Sequence, residues 1–330
     1  MSLLPGLSVG HATDTTAKTG VTIFLPDEPA VAAVHVAGGA PASRETDLLR
    51  PGNTVERVDA IVLSGGSAFG LAAADGVMRW LATHGRGFAV GGLRVPIVPA
   101  ASLFDLANGG DKTRLAALGG LSLYPALGVA ACEAASGTPA SGSVGAGTGA
   151  TTADLKGGFG MAATVLESGA RVAAFVAVNP VGRVTLGATP HFRAAPFEVD
   201  GEFGGLGLPS PLPPDAAAIV TKGSIEPQAS TTLAIVATDC ALTRAEAKRL
   251  AIAAHDGIAL AIFPAHTPFD GDTVFALSTG ARELSDGPRG LLDLGAAAAA
   301  TLARAIARAV YAATPAPGDR VPTWRERYGR

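Results

Sequence analysis

A chain of 330 residues with 48% hydrophobic and 16% charged residues has ample material for a buried core. The net charge of −3 offers no basic stripe, which argues against nucleic acid as a partner. Two cysteines give neither a metal-binding spacing nor a disulfide framework. The N-terminus shows no signal-peptide pattern, and no apolar run reaches the roughly 18 residues of a membrane span, so we expect a cytoplasmic protein without membrane contact.

The first part of the chain predicts short strands followed by a helix. The apolar runs that predict strands lie at 20–25, 30–36 and 60–63. After Gly65-Gly66 the apolar spacing becomes helical up to residue 81. Such a glycine-rich turn either holds an anion or permits close packing; we favour packing, and retain Gly65, Gly66 and Ser67 as candidate pocket-lining residues. A nucleophile elbow at Ser67 is excluded because Phe69 stands where glycine is required.

The middle of the chain contains a glycine-rich stretch and a predicted hairpin. The stretch at 145–150 matches G-x-G-x-x-A, but no apolar strand precedes it and no helix follows, so we expect no nucleotide cofactor. Strands predicted at 161–166 and 171–178 form a hairpin that ends at Asn179. An amide there can donate a hydrogen bond to an oxygen that becomes negative in acyl transfer. The alternative is a plain Asn-Pro turn.

Thr231 begins an apolar strand immediately after a segment rich in glycine and proline. This arrangement suits a self-cleaving hydrolase, in which the Thr231 hydroxyl attacks the Ser230 carbonyl and frees its own α-amino group. That amine titrates near pH ~7.7–8.0 and can serve as the base that activates the hydroxyl on the same residue. The alternative is an ordinary core strand after a loop.

The last hundred residues predict a helix, an acidic turn and a second helix. Thr243 and Glu246 form a capping box at the start of the first helix. Asp270 and Asp272 flank a glycine, and at this separation their like charges raise one pKa. A plain turn or a cation site are the alternatives, although the cation site lacks further oxygen ligands. A long alanine-rich helix at 291–313, with its arginines outward, and a proline-containing tail complete the chain.

Four segments, in order along nearly the whole chain, resemble the L-aminopeptidase D-amidase/D-esterase family, which includes β-peptidyl aminopeptidases and nylon-oligomer hydrolases. They lie at 38–47, 63–71, 178–182 and 231–273. The resemblance implies one compact α/β domain, a layered α-β-β-α sandwich of N-terminal-nucleophile type. It also implies self-cleavage into residues 1–230 and 231–330, a homo-oligomer of processed chain pairs, a small peptide or amide as substrate, and no metal or organic cofactor.

The resemblance also implies roles for individual residues. Thr231 corresponds to the nucleophile, and Asp270 and Asp272 follow it at the family's spacing. Asn179 is the expected oxyanion donor, and Lys156 is our choice for the lysine beside the nucleophile. The sequence departs from many relatives in having Phe104 where an active-site tyrosine lines the pocket, and Ser230 where asparagine precedes the cut.

The sequence therefore predicts an aminopeptidase or small-amide hydrolase that forms an acyl-enzyme on Thr231. Two alternatives remain open. An acyltransferase of the ornithine acetyltransferase type would pass the acyl group to an amine, and an uncleaved, non-enzymatic relative would only bind a small amide. Thr232 is an alternative nucleophile, although register and spacing favour Thr231.

Overall fold

A computed structural model describes residues 3–117, 123–223 and 230–329 of the chain. The strands within these residues are β1 (Leu7–Asp14), β2 (Thr19–Pro26), β3 (Ala30–Val36), β4 (Ala42–Arg44), β5 (Arg57–Val58), β6 (Ile61–Ser64), β7 (Phe88–Val90), β8 (Leu93–Val95), β9 (Ala100–Ser102), β10 (Gly158–Val165), β11 (Arg171–Asn179), β12 (Thr231–Cys240) and β13 (Thr273–Arg282). The α-helices are α1 (Ala73–Thr83), α2 (Thr113–Ala117), α3 (Leu123–Glu133), α4 (Arg244–Ala261), α5 (Gly287–Tyr311) and α6 (Trp324–Tyr328).

The strands form two larger sheets and a small β7–β8 hairpin. The first sheet has the order β1-β2-β6-β9-β4, and the second has the order β10-β11-β12-β13-β3-β5. In the second sheet β12 runs parallel to β13 and antiparallel to β11. The starts of β12 and β13 and the end of β11 therefore meet at one edge of the sheet. Three segments distant in sequence are brought together there.

Three apolar layers hold the fold together. The layer between α1, α3 and the first sheet contains Val21, Ile23, Val62, Val77 and Ala131. The layer between the two sheets contains Phe24, Leu63, Phe175, Ile235 and Phe275. The layer between the second sheet and α4 and α5 contains Val236, Leu250, Ile258, Leu302 and Ile306. Each of the two sheets thus packs against the other sheet on one face and against helices on the opposite face. This layering is the predicted α-β-β-α sandwich.

Strand β12 is buried along its whole length. Successive side chains of a strand point to opposite faces, so its odd and even positions enter different layers. Leu233 and Ile235 lie between the sheets, whereas Ala234 and Val236 face the helices. Thr231 shares the face of Leu233 and Ile235. The candidate nucleophile is therefore on the face between the sheets, at the strand's first position.

Helix α5 is long and apolar enough to cross a membrane, but 61% of its most apolar window is buried inside the protein. It packs against α4, β10 and β11 as a core helix. The prediction that Arg304 and Arg308 point outward is wrong for Arg304. That side chain is 11% exposed, and its Nε lies 2.5 Å from Glu202 Oε1. The guanidinium is thus held by an ion pair at the margin of the core.

The C-terminal residues are more ordered than the predicted tail. Trp324 is 1% exposed and its Nε1 donates to Pro190 O at 3.0 Å. A capping box of Thr323 and Glu326 begins α6. The signal was present in the sequence as T-x-x-E, the same pattern that predicted α4. The docked segment also brings Asp319 against two buried lysines, as described below.

Candidate active site

Thr231 opens β12 with its side chain 3% exposed. In the continuous chain, its Oγ1 donates a hydrogen bond to the carbonyl oxygen of Ser230 at 2.6 Å. The backbone N–H of Gly271 donates to the same oxygen at 2.7 Å. The hydroxyl is thus held beside the carbonyl of the preceding peptide bond, and an independent donor is aimed at the oxygen of that carbonyl.

Gly271 must be glycine at this position. A Cβ added to it would lie 2.6 Å from Thr231 Oγ1 and 2.8 Å from Ala40 O. Both separations are shorter than real Cβ contacts, so a side chain would displace either the hydroxyl or the backbone opposite. The glycine between the two aspartates therefore allows the donor to approach the Ser230 carbonyl.

Asp272 is completely buried and accepts three hydrogen bonds. Its Oδ1 accepts from Thr232 N at 2.8 Å, and its Oδ2 accepts from the backbone N (3.0 Å) and ring Nδ1 (2.8 Å) of His266. The carboxylate thereby fixes the backbone directly after Thr231. Although burial acts in the opposite direction, the hydrogen bond to Asp272 and its negative charge raise the pKa of His266.

Asp270 is also completely buried, and its carboxylate is held by different donors. Oδ1 accepts from Val181 N at 3.0 Å, while Oδ2 accepts from Thr267 N at 2.9 Å and Thr267 Oγ1 at 2.7 Å. Burial and the nearby charge of Asp272 raise the pKa of Asp270. This is the paired behaviour expected from the sequence.

The glycine motif at 38–39 supports the acidic turn through its backbone. Ala37 N donates to Asp272 O at 3.0 Å, and Ala40 N donates to Asp270 O at 2.8 Å. A Cβ on Gly38 would lie only 2.2 Å from the Asp270 carbonyl oxygen. This close approach explains why glycine is required there, and it connects the first segment of the family pattern with the last.

Asn179 ends β11 and is the direct cross-strand partner of Thr231. Its Oδ1 accepts from Thr151 N at 3.0 Å and from Lys222 Nζ at 2.9 Å. Its Nδ2 donates to Phe104 O at 2.9 Å. An amide nitrogen carries two hydrogens, and this bond uses one of them. The amide is therefore fixed beside Thr231 by three partners from separate loops.

A cavity of about 180 Å³ lies against these three partners. The described residues that line it are Phe104, Ala107, Asn108, Thr151, Thr152, Ala153, Lys222, Gly223, Arg320 and Val321. Every side-chain hydrogen-bond partner described above for Asn179 thus belongs to the cavity wall. Because Asn179 faces Thr231 across the sheet, this cavity is the best candidate for the substrate site.

Phe104 lines this cavity, whereas Gly65, Gly66 and Ser67 are not among its described lining residues. The glycine turn packs against a buried carboxylate instead: Gly66 N donates to Asp105 Oδ1 at 2.8 Å. Ser67 N donates to Leu103 O at 2.8 Å. These contacts fix the segment around Phe104, whose carbonyl holds Asn179. They fit the packing interpretation of the glycine turn.

Two lysines lie in this region, and they have different partners. Lys156, the residue expected beside the nucleophile, is buried and its Nζ lies 2.7 Å from Asp319 Oδ2. Lys222 reaches Asn179 instead, and sequence reasoning missed it. Burial lowers the pKa of Lys222 to about 7, although the charge of Asp270 acts in the opposite direction. No sequence pattern marked Lys222, because it lies in an irregular segment and meets Asn179 only in the fold.

Three histidine rings contact one another edge to face in a row that ends at Asp272. The rings of His35 and His255 are 4.9 Å apart, and those of His255 and His266 are also 4.9 Å apart. His255 Nε2 donates to His35 O at 3.0 Å, and burial favours the neutral form of the ring although this bond acts in the opposite direction. Within the described residues, no group of three or more His, Cys, Asp or Glu side chains is placed to hold a metal ion.

The buried His255 predicts a loss of stability in acid. Burial lowers the pKa of its imidazole to about 4, so the unfolded chain binds a proton below pH ~6.5 that the folded chain does not bind until pH ~4. This difference corresponds to about 3 kcal/mol of unfolding free energy, lost as the pH falls through that window. We expect His255→Gln, which retains a donor for His35 O, to flatten this dependence in urea denaturation at one protein concentration.

The pH dependence of the unfolding free energy must be compared between the variant and the unmodified protein, because other histidines also contribute to it. Burial lowers the pKa of His11 to about 4 as well, and this contribution remains in the variant. The raised pKa of His266 acts in the opposite sense, since its stabilisation is present in acid and is lost as the pH rises. Identical slopes for His255→Gln and the unmodified protein between pH 4 and 6.5 would contradict this account.

Two solved structures share the fold over almost the whole chain. The L-aminopeptidase D-Ala-esterase/amidase of Ochrobactrum anthropi matches with a TM-score of 0.69 at 22% identity, over 98% of this chain and 90% of the other. The beta-aminopeptidase of a Burkholderia species matches with a TM-score of 0.67 at 21% identity, over 99% and 91%. The first is described as a variant of the Ntn hydrolase fold, so the present sandwich is an Ntn hydrolase fold.

Sequence comparison identifies the family. Residues 4–322 match Peptidase family S58, and the chain belongs to that family. An uncharacterized aminopeptidase of Mycobacterium tuberculosis is 44% identical over 347 residues, which cover 98% of this chain and 96% of that protein. A 6-aminohexanoate-oligomer endohydrolase of Paenarthrobacter ureafaciens is 30% identical over 313 residues, which cover 91% of this chain and 81% of that protein. The chain is therefore a hydrolase of peptide or amide bonds, and the family resemblance inferred from its motifs is confirmed.

Proposed function

We propose that this protein cleaves itself between Ser230 and Thr231 and then hydrolyses small peptides or amides with Thr231 as its N-terminal nucleophile. One observation carries the proposal. Thr231 Oγ1 lies 2.6 Å from the Ser230 carbonyl oxygen, and the N–H of Gly271 lies 2.7 Å from the same oxygen. A nucleophile and an oxyanion donor thus face the peptide bond that must break.

Self-cleavage begins when Oγ1 of Thr231 attacks the carbonyl carbon of Ser230. The carbonyl oxygen becomes negative and is stabilised by the N–H of Gly271. Collapse of the intermediate breaks the C–N bond, and the proton of the hydroxyl is transferred to the leaving nitrogen of Thr231. Water then hydrolyses the ester, which leaves a carboxylate on Ser230 and both a hydroxyl and an amine on Thr231.

In the mature enzyme the new amine removes the proton from the Thr231 hydroxyl, because its pKa lies near neutrality. The hydroxyl attacks the substrate carbonyl, and the oxygen that becomes negative accepts a hydrogen bond from the remaining N–H of Asn179. The substrate's amine leaves with a proton, and water releases the acyl group from Thr231. Asp270 and Asp272 are positioning residues that fix the turn and the backbone around the nucleophile.

The substrate class rests on the relatives. These relatives are named as aminopeptidases, a D-Ala-esterase/amidase and a 6-aminohexanoate-oligomer endohydrolase. All of these act on bonds that an acyl-enzyme on a hydroxyl can break. We therefore propose small amides or short peptides with a free amine near the cleaved bond. Intact-mass measurement of the denatured protein tests the first step, and its outcomes are developed in the Discussion.

Asn179→Asp should separate the acceptor role of the amide oxygen in holding the loops from the proposed donor role of its N–H in catalysis. The carboxylate keeps acceptors for Thr151 N and Lys222 Nζ but loses the donor, so we expect kcat to fall by about 10²–10³ with a much smaller change in KM. The rate should be expressed per processed enzyme, with the processed fraction measured by mass. A kcat within about twofold of the unmodified enzyme would remove Asn179 from the mechanism and leave it as a turn residue.

A further inference from the structure

The described wall of the 180 Å³ cavity carries positive charge and no carboxylate. Lys222 is half-buried and aims its Nζ at Asn179 Oδ1. Arg320 is exposed at the wall and has no ion-pair partner within the described residues. A cationic group that lacks a counter-charge beside a cavity is a binding group for an anion.

A second source of positive charge adjoins this wall. A small cavity of about 10 Å³ shares four of the first cavity's lining residues, namely Asn108, Thr151, Arg320 and Val321. Behind it Lys18 and Lys156 both bind Asp319, at 2.6 and 2.7 Å. Two ammonium groups thus share a single carboxylate, and Asp319 alone can neutralise only one of them. Their side chains are 8% and 5% exposed, which limits screening by solvent.

Two carboxylates in this region are already engaged by other partners. Asp270, the one whose charge reaches Lys222, is held by Val181 and Thr267. Asp154, next to the wall residue Ala153, lies 3.0 Å from the guanidinium of Arg183 and 2.9 Å from that of Arg327. Neither carboxylate is turned into the cavity to neutralise its wall.

We propose that this cavity binds a carboxylate of the substrate through Arg320 and Lys222, so that the preferred substrates are small amides or peptides that carry a free carboxylate. The inference rests on the proposed function, and it adds a chemical class to a substrate known only as an amide. An arginine fork binds a carboxylate with two parallel hydrogen bonds, which gives orientation as well as affinity. Because Lys222 also holds Asn179, the bound carboxylate lies one residue away from the oxyanion donor.

The burial of Lys222 fits this assignment. Burial lowers the pKa of its amine to about 7, because the ammonium loses its hydration there and the charge of Asp270 offsets this only in part. A substrate carboxylate supplies the missing counter-charge and favours the ammonium form. Lys222 therefore becomes a donor to the substrate while it retains its hydrogen bond to Asn179, since an ammonium has three hydrogens.

Paired substrates test the proposal. One series tests a carboxylate on the amine product that leaves. It uses alanyl-alanine, β-alanyl-alanine and the linear 6-aminohexanoate dimer, and compares each free acid with the corresponding C-terminal amide. For a carboxylate on the acyl side, the probes are aspartyl and asparaginyl p-nitroanilides. We expect at least tenfold higher kcat/KM for the acid in one of the two series, mostly through KM. This preference should fall at least fivefold in Arg320→Gln and persist in the control Arg289→Gln, an arginine that is 74% exposed and lies in the last long helix.

The outcomes separate this inference from the function on which it rests. Loss of the acid preference in Arg320→Gln supports the inference and shows which side of the substrate carries the charge. Equal rates for acid and amide in both series, or an unchanged preference in Arg320→Gln, would overturn it while leaving the amide hydrolase intact. An enzyme that stays unprocessed and cleaves no probe would count against the proposed function itself.

Discussion

Replacing Thr231 with alanine is expected to leave one intact chain of 32.7 kDa where the unmodified protein yields two. The variant removes the only group placed on the Ser230 carbonyl as a nucleophile within the described residues, so both self-cleavage and amide hydrolysis should fall by more than about 10³-fold. Thr231→Ser keeps a hydroxyl and should still be processed. Mass spectrometry under denaturing conditions, followed by N-terminal sequencing of the smaller fragment, provides the measurement.

Thr232→Val is the matched control for this prediction. The Thr232 hydroxyl is buried and has no hydrogen-bond partner in the described structure, so the methyl group of valine fits its place. Thr232 also faces the helices, away from the layer between the sheets. We expect normal processing in this variant. A full-length mass for the unmodified protein after long incubation, or cleavage that requires Thr232 instead, would contradict the proposal.

Asp272→Asn is expected to cost about 3 kcal/mol of unfolding free energy and to slow self-cleavage at least tenfold. The carboxylate accepts from Thr232 N on one oxygen and from two nitrogens of His266 on the other. Because the site is completely buried, an amide in either orientation turns an N–H towards a backbone donor, either Thr232 N or His266 N. The backbone after Thr231 then loses its anchor, which explains the slower cleavage. Urea denaturation and a time course of intact mass measure the two effects.

Asp293→Asn is the control for the loss of a carboxylate as such. Asp293 is 43% exposed and pairs with Arg289 on the surface of α5. Exposed ion pairs of this kind contribute between 0 and about 1 kcal/mol, so its stability should change little and its processing not at all. If Asp272→Asn were as stable and as quickly processed as Asp293→Asn, Asp272 would have no positioning role.

Much of the fold was predictable because its signals are local. The apolar run at 30–36 corresponds to β3, and the capping box at Thr243 begins α4 as expected. The order of the strands was not predictable in the same way. The pairing of β12 with β11 and β13 joins residues 40 to 66 positions apart, and the turn and loop signals of the sequence do not specify that register.

The same distinction between local signals and long-range contacts applies to the residues of the candidate site. Thr231, Asp270 and Asp272 stand in or beside motifs, so the resemblance identified them, and the structure brings their backbones together at one sheet edge. Lys222, His266 and Arg320 belong to irregular segments without a pattern. Lys222 contacts Asn179, His266 contacts Asp272, and Arg320 lines the cavity. No sequence pattern predicts any of these placements, so only the folded structure shows them.

The strand order of the second sheet gives the proposed cleavage a lasting consequence. Strands β12 and β13 would belong to the small chain, yet they lie between β11 and β3 of the large chain. A folded molecule stays whole after the cut because two ladders hold the inserted pair. Once unfolded, the two pieces must find each other by diffusion, whereas the uncut chain needs only to close a loop. Folding would thus be unimolecular in the newly made, uncut chain. After cleavage, refolding would be a bimolecular assembly whose rate depends on protein concentration.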